Sequence, residues 1–243
     1  MPIEKAVAGE PGFFCGLSLL PDELTRVRAH VSRSFMRRVG NIYPDLQACF
    51  EAIDLDRYHE LSHLIDHKRL WPIVHRILDR DAVQDIRSMS LTGSLEGAFG
   101  AFDIADAEGA GHPNMVWRVI RPGHWSDVGP MHADAWFWEL GHGRMPHEAR
   151  RIKVWLAVHC EPSLSGFRVV PASHQRSWPY HGELRDGYVK PTIDIDEGDL
   201  ASEDLNLRPG QAVVFHDRLL HRGYPGKVRT RVSLEFTLLT KRG

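Results

Sequence analysis

Apolar positions recur at two different periods along this chain, and the change of period divides it. Leu24, Val27, Val31 and Phe35 fall at helical spacing, while Arg26, Arg28, Arg33 and Arg37 take other sides of the wheel as a solvated face. Pro21-Asp22 opens that helix, and Pro44 suits the first turn of a second. The second carries Leu46, Phe50 and Ile53, then Leu61, Leu64 and Ile65 after a break; a third is predicted over residues 70 to 78. Beyond residue 80 the pattern reads as strand, with Gly93, Gly97, Gly100, Gly109 and Gly111 marking turns. Residues 116 to 121 alternate. Residues 152 to 160 do so most clearly, with Ile152, Val154, Leu156, Val158 and Cys160 on one face and Lys153, Trp155, Ala157 and His159 on the other. Further strands are predicted at 167 to 170, 211 to 216 and 230 to 240.

Helices followed by strands predict a mainly β fold, an antiparallel sandwich or barrel with a helical layer against one sheet. The expected division is a helical third over about residues 1 to 90 and a β core over about 91 to 243. Within that core lies a polar, turn-rich excursion at about 175 to 208 that reads as a lid. No repeat or linker splits the chain, so residues 1 to 243 are expected to form one domain.

A formal charge of −2 gives no electrostatic case for nucleic acid or an anionic membrane, and no apolar run approaches a bilayer span. Cys15, Cys49 and Cys160 are odd in number and widely spaced, which fits a reducing compartment. The expectation is a cytoplasmic protein.

Candidate chemistry centres on GPMHADAWFW, residues 129 to 138. On an extended strand the side chains of His132 and Asp134 share a face, as would Trp136 and Trp138. That offers two donors of a 2-His-1-carboxylate set, which suits non-haem Fe(II) and leaves positions open for substrates. With 15 histidines and 32 acidic residues, chance alone yields roughly two such pairs. The motif therefore needs company. His216 and His221 both stand as a third ligand. On the last strand Arg231 and Ser233 share the face opposite Val232, Leu234, Phe236 and Leu238, which makes a carboxylate receptor of a guanidinium fork and a hydroxyl. His59, His63 and His67 recur at helical spacing without a carboxylate, and read as a half-buried stripe.

The order His132-x-Asp134, distant His221, Arg231-x-Ser233 resembles the Fe(II)/2-oxoglutarate-dependent dioxygenases. VWLAVHCEPSLSGFRVVPASHQRSW and PGQAVVFHDRLLHRG are similar to segments of their phytanoyl-CoA dioxygenase branch. The resemblance implies a double-stranded β-helix core, with iron on His132, Asp134 and His221. It implies 2-oxoglutarate anchored by Arg231 and Ser233 beside Trp155, and O2 at the remaining position. It favours His221 over His216 and leaves Arg229 as a second choice of anchor. Two positions depart from the family pattern: Gln211 replaces an acidic turn residue, and Gly223 replaces a frequent serine. Trp136, Trp138, Arg118 and His174 are the expected substrate contacts. The implied activity is hydroxylation of a small molecule with release of succinate and CO2. The alternatives are a cupin-like metal enzyme that does not use 2-oxoglutarate, and a non-catalytic ligand-binding protein of the same fold.

Overall fold

The computed structural model describes residues 1–143, 146, 149–185 and 187–241. The first helices and strand are α1 (Ile3–Ala8), β1 (Phe13–Ser18) and α2 (Pro21–Ile42), and α2 follows the apolar spacing closely. Val27, Val31, Phe35 and Val39 are fully buried on one side of it. Its start is held by Glu23, whose carboxylate accepts from the backbone N–H of Leu20 at 2.9 Å and from the N–H and hydroxyl of Ser90 at 2.7 and 2.6 Å.

The second and third predicted helices do not form as continuous elements. Residues 44 to 75 fold into 3-10 turns and two short helices, α3 (Gln47–Glu51) and α4 (Tyr58–Leu61). Asp66 breaks the run by capping a turn, its carboxylate accepting from Lys68 N–H at 3.0 Å, and Pro72 precedes another. The strand pattern predicted from residue 80 also begins late. α5 (Arg80–Arg87) and α6 (Ser90–Phe99) come first, and Gly93 and Gly97 lie inside α6 rather than at turns. Asp79 caps α5 by accepting from Ala82 N–H at 3.1 Å.

The remaining elements are β2 (Phe102–Ile104), β3 (Val116–Ile120), α7 (Asp134–Glu139), β4 (Ala149–His159), β5 (Gly166–Val169), β6 (Tyr180–Arg185), β7 (Tyr188–Ile193), β8 (Glu203–Leu205), β9 (Gln211–His216), β10 (His221–Tyr224) and β11 (Arg231–Lys241). One antiparallel sheet runs β1-β9-β4-β11-β2, with β3 also paired to β11. A smaller sheet runs β10-β5-β8. This is the double-stranded β-helix expected from the sequence, with a helical layer outside the larger sheet. The excursion carries its own hairpin, β6 with β7.

Alternation then decides which chemistry faces inward. On β4 and β11, Ile152, Val154, Leu156, Val158, Val232, Leu234, Phe236 and Leu238 join α2, α5 and α6 in the main core. The opposite face of β4 sends Trp155 and Ala157 into a second cluster with Phe167, Val169, Val213 and Phe215, between the two sheets. Lys153, Arg231, Ser233 and Glu235 belong to that same inner face by strand parity.

Candidate metal centre

His132 and His221 are joined by backbone pairing outside the named ladders. His132 N–H donates to the carbonyl of His221 at 3.1 Å, and His221 N–H donates back to His132 at 2.9 Å. The two imidazoles lie 4.5 Å apart between centroids. Ala133 is extended, so Asp134 returns to the same side, but there the chain enters α7 instead of continuing as a strand. The alternation expected of Trp136 and Trp138 therefore gives way to helical geometry.

Ligand-type atoms of His132, Asp134 and His221 all lie within 4.8 Å of one another. Asp134 Oδ1 is 4.0 Å from His132 Nε2, and Oδ2 is 3.6 Å from His221 Nε2. Each imidazole Nδ1 sits at hydrogen-bond distance from a backbone carbonyl, Pro130 at 2.8 Å and Leu219 at 2.9 Å. Donation from Nδ1–H fixes the tautomer that leaves the Nε2 lone pairs facing Asp134. Burial, with His221 adding to it, pushes the His132 imidazole down to about 4, and burial likewise lowers His221. Burial works to raise the Asp134 carboxyl, but Lys153, His221, His132 and Arg118 together hold it down at about 2. Two neutral imidazoles and one carboxylate are the donor set that a non-haem divalent iron takes. Phe167 and Phe215 flank His221, with ring centroids at 5.0 and 4.7 Å, and Phe137 lies edge-on to His132 at 5.4 Å.

The competing third ligand lies elsewhere. His216 Nδ1 accepts from Arg218 N–H at 3.1 Å in the turn after β9, and its ring packs on His174. Arg229 is exposed and pairs with Asp56 at 2.9 Å. His59, His63 and His67 separate into different turns. His59 meets Thr230, and His67 bonds the Tyr58 hydroxyl at 2.8 Å.

Arg231 and Ser233 are 2% and 1% exposed, and Arg231 Nε and Ser233 Oγ have no partner among the described residues. One guanidinium nitrogen, Nη1, donates to the Gly166 carbonyl at 3.0 Å, and Cζ lies 5.5 Å from the Trp155 ring centroid. Burial pushes this guanidinium down to about 10, with Arg118 adding to the effect. Arg231 Nε and Ser233 Oγ are thus buried donors without an acceptor among the described residues, the kind of group that suits an anion brought from outside. Arg231 and His221 lie on strands that do not pair with each other. β10 and β11 belong to different sheets and face each other across the barrel. Gly223 makes that approach possible, because a Cβ there would sit 2.6 Å from Arg231 Nη2.

The other expected site residues divide. Arg118 stands beside Ser233 in the β3–β11 register and pairs with Glu235 at 2.8 Å, keeping 35% of its side-chain surface accessible. Trp136 is buried and stacks on Tyr180, with centroids 4.4 Å apart. Trp138 lies beneath Arg151, whose Cζ is 4.4 Å from the ring, and close to Lys153. His174 is turned toward the N-terminal segment, 3.3 Å from the Ala8 carbonyl. Gln211 opens β9 rather than sitting in the turn before it, and its side-chain oxygen accepts from Arg208 N–H at 2.7 Å. Sequence reasoning gave no role to Lys153, Glu235, Phe137, Phe167 or Phe215. The parity of β4 and β11 had already put the first two on the inner face.

The family model for phytanoyl-CoA dioxygenase (PhyH) matches residues 47–230. Among solved structures, a non-haem monooxygenase, ThoJ in its apo form, is 15% identical with a TM-score of 0.61, covering 98% of this chain and 77% of that one. EvdO2 from Micromonospora carbonacea var. aurantiaca, complexed with 2-oxoglutarate, is 16% identical with a TM-score of 0.50, covering 68% of this chain and 65% of that one. At these identities the likeness establishes the fold. No curated protein sequence matches. Since the family match spans well over half of the chain, the protein belongs to the phytanoyl-CoA dioxygenase (PhyH) family and is an Fe(II)- and 2-oxoglutarate-dependent oxygenase.

Proposed function

We propose that His132, Asp134 and His221 hold the iron, that Arg231 and Ser233 anchor the far carboxylate of 2-oxoglutarate beside Trp155, and that the product is a hydroxylated small molecule. The observation that carries the reading is the convergence of three donor atoms within 4.8 Å from segments far apart in sequence. The buried, unpartnered Arg231 Nε and Ser233 Oγ support the anchor. With iron bound, the centre supplies oxidative chemistry in which 2-oxoglutarate and O2 give succinate and CO2, with one oxygen atom going to succinate and the other to a substrate C–H bond.

The chain's own residues bind, orient and exclude water. The backbone carbonyls of Pro130 and Leu219 keep Nε2 of each histidine free of a proton. Trp155, Phe167 and Phe215 pack between the two sheets beside Arg231 and His221, so the carboxylate–guanidinium contact forms out of bulk water and is strengthened by that. Arg118, paired with Glu235 and still partly accessible, is the charged group offered to the substrate; Trp138 stands at the Lys153 side. Trp136 and His174 are engaged in packing and are left out of the substrate set. The helical layer and the larger sheet share one core, which supports residues 1–243 acting as a single catalytic unit. Unpaired Cys15, Cys49 and Cys160 support a reducing, cytoplasmic setting. Among the described residues no helix is long and apolar enough to cross a membrane.

The test is succinate release from 2-oxoglutarate across a metabolite library. Release dependent on both added Fe(II) and one class of substrate supports the reading. Turnover of a substrate without 2-oxoglutarate would replace it with a cupin-like activity.

A further inference from the structure

Lys153 stands on the inner face of β4, between Phe215 of β9 and Thr237 of β11. Its side chain is 12% exposed, and Nζ lies 3.5 Å from Asp134 Oδ2. The ring of Trp138 is 5.9 Å from the same ammonium and helps to hold it over α7. Asp134 therefore has two different neighbours for its two oxygens. Oδ1 is turned toward His132, while Oδ2 is shared between His221 and the ammonium.

An ammonium this close to a divalent metal would be a poor choice for affinity alone. Two positive charges on the ion and one on the lysine repel strongly in a site shielded from water. Its placement at the carboxylate calls for a gain of another kind. A carboxylate can give a metal one oxygen or both, and using both consumes a position that a 2-His-1-carboxylate centre keeps open for its co-substrates.

We propose that Lys153 is a positioning residue that occupies Asp134 Oδ2 and so limits Asp134 to one metal bond. The proposal rests on the iron-ligand assignment made above. Glu235 and Glu108 also face this lysine, at longer range, but the contact within ion-pair distance is with Asp134. A lysine here trades metal affinity for an open coordination position.

The experiment uses Mn(II) as the probe, counting metal-bound waters from EPR line broadening in 17O-enriched water and measuring affinity by titration. Lys153→Met is expected to bind Mn(II) at least about threefold more tightly than wild type, while carrying about one bound water fewer. Lys153→Arg is expected to keep the wild-type count. 2-Oxoglutarate added to the Mn(II) form of Lys153→Met should bind at least about tenfold more weakly than to wild type. An unchanged water count in Lys153→Met overturns the proposal, as does a Lys153→Arg protein that matches the methionine variant. If the methionine variant does not fold, Lys153→Ala is read in the same way. A wild-type protein that takes up no Mn(II), Co(II) or Fe(II) removes the ligand assignment itself, an outcome distinct from a bound metal with an unchanged count.

Discussion

His132 and His221 exchange both backbone hydrogen bonds of an isolated antiparallel bridge, at 3.1 and 2.9 Å, although one precedes α7 and the other opens β10. Side chains of directly opposed residues in such a pair emerge on the same side of the backbone. The candidate metal centre thus rests on a backbone bridge, which sets the spacing of its two imidazoles. Substitutions of side chains around it should change what it binds before they change whether it forms.

Arg231→Ala removes the buried guanidinium proposed to anchor 2-oxoglutarate. The expected result is a KM for 2-oxoglutarate raised by about 10- to 100-fold, from the loss of ~1.5–3 kcal/mol in charge-assisted hydrogen bonding. Iron affinity should change by less than about threefold, since Arg231 touches none of the three donors. Equal losses in both would detach the guanidinium from the co-substrate.

Gly223→Ser tests the departure from the family pattern. Any Cβ at 223 would lie 2.6 Å from Arg231 Nη2 and 2.9 Å from Nη1, so the guanidinium must move. The KM for 2-oxoglutarate should rise about tenfold, and adding the substitution to Arg231→Ala should cost little more, because both act on one group. Additive effects would mean that residue 223 acts by another route.

Metal-free protein should lose stability on mild acidification. His67, buried against Tyr58 and Trp71, is pushed down to about 4 by burial, as are His132 and His159. Between about 6.5, the unfolded value, and about 4, the unfolded chain binds protons that these rings refuse in the fold. Their contribution is complete above about 6.5 and is lost as pH falls through the window. Thermal unfolding from pH 7.5 to 4.5 should show Tm falling, and His67→Gln should flatten part of the slope. A Tm independent of pH over this range would contradict the burial of these rings.

The hairpin β6–β7 is held to α7 through Tyr180, which stacks on Trp136 and donates its hydroxyl to Glu139 at 2.5 Å. Tyr180→Ala forfeits the stacking, about 0.5–1.5 kcal/mol, and the hydrogen bond. Proteolysis near residues 180–193 should become several-fold faster while Fe(II) binding is retained. Unchanged cleavage would show that the hairpin is secured elsewhere.

Long, strongly periodic segments were legible from sequence. α2, β4 and β11 carry uninterrupted apolar faces, and β11 in particular announced that Arg231 and Ser233 point away from the main core. Two kinds of segment were not. α6 was hidden because SLTGSLEGAF mixes glycine and small polar residues with three apolar anchors, so its helix depends on Leu91 and Leu95 reaching the core. Residues 129 to 138 misled in the opposite sense. His132 and Asp134 do share a side through extended Ala133, but the chain then coils, and the spacing of Trp136 and Trp138 reflects no strand. Lys153 was placed on the right face and given no role, because its meaning depends on Asp134 arriving from another segment.

Fe(II) or Co(II) binding to alanine variants of the four candidate donors tests the central claim most directly. One equivalent should bind to wild type and to His216→Ala, with His132→Ala, Asp134→Ala and His221→Ala each weakened by about 100-fold or more. Wild-type affinity in His221→Ala, or its loss in His216→Ala, would contradict the account.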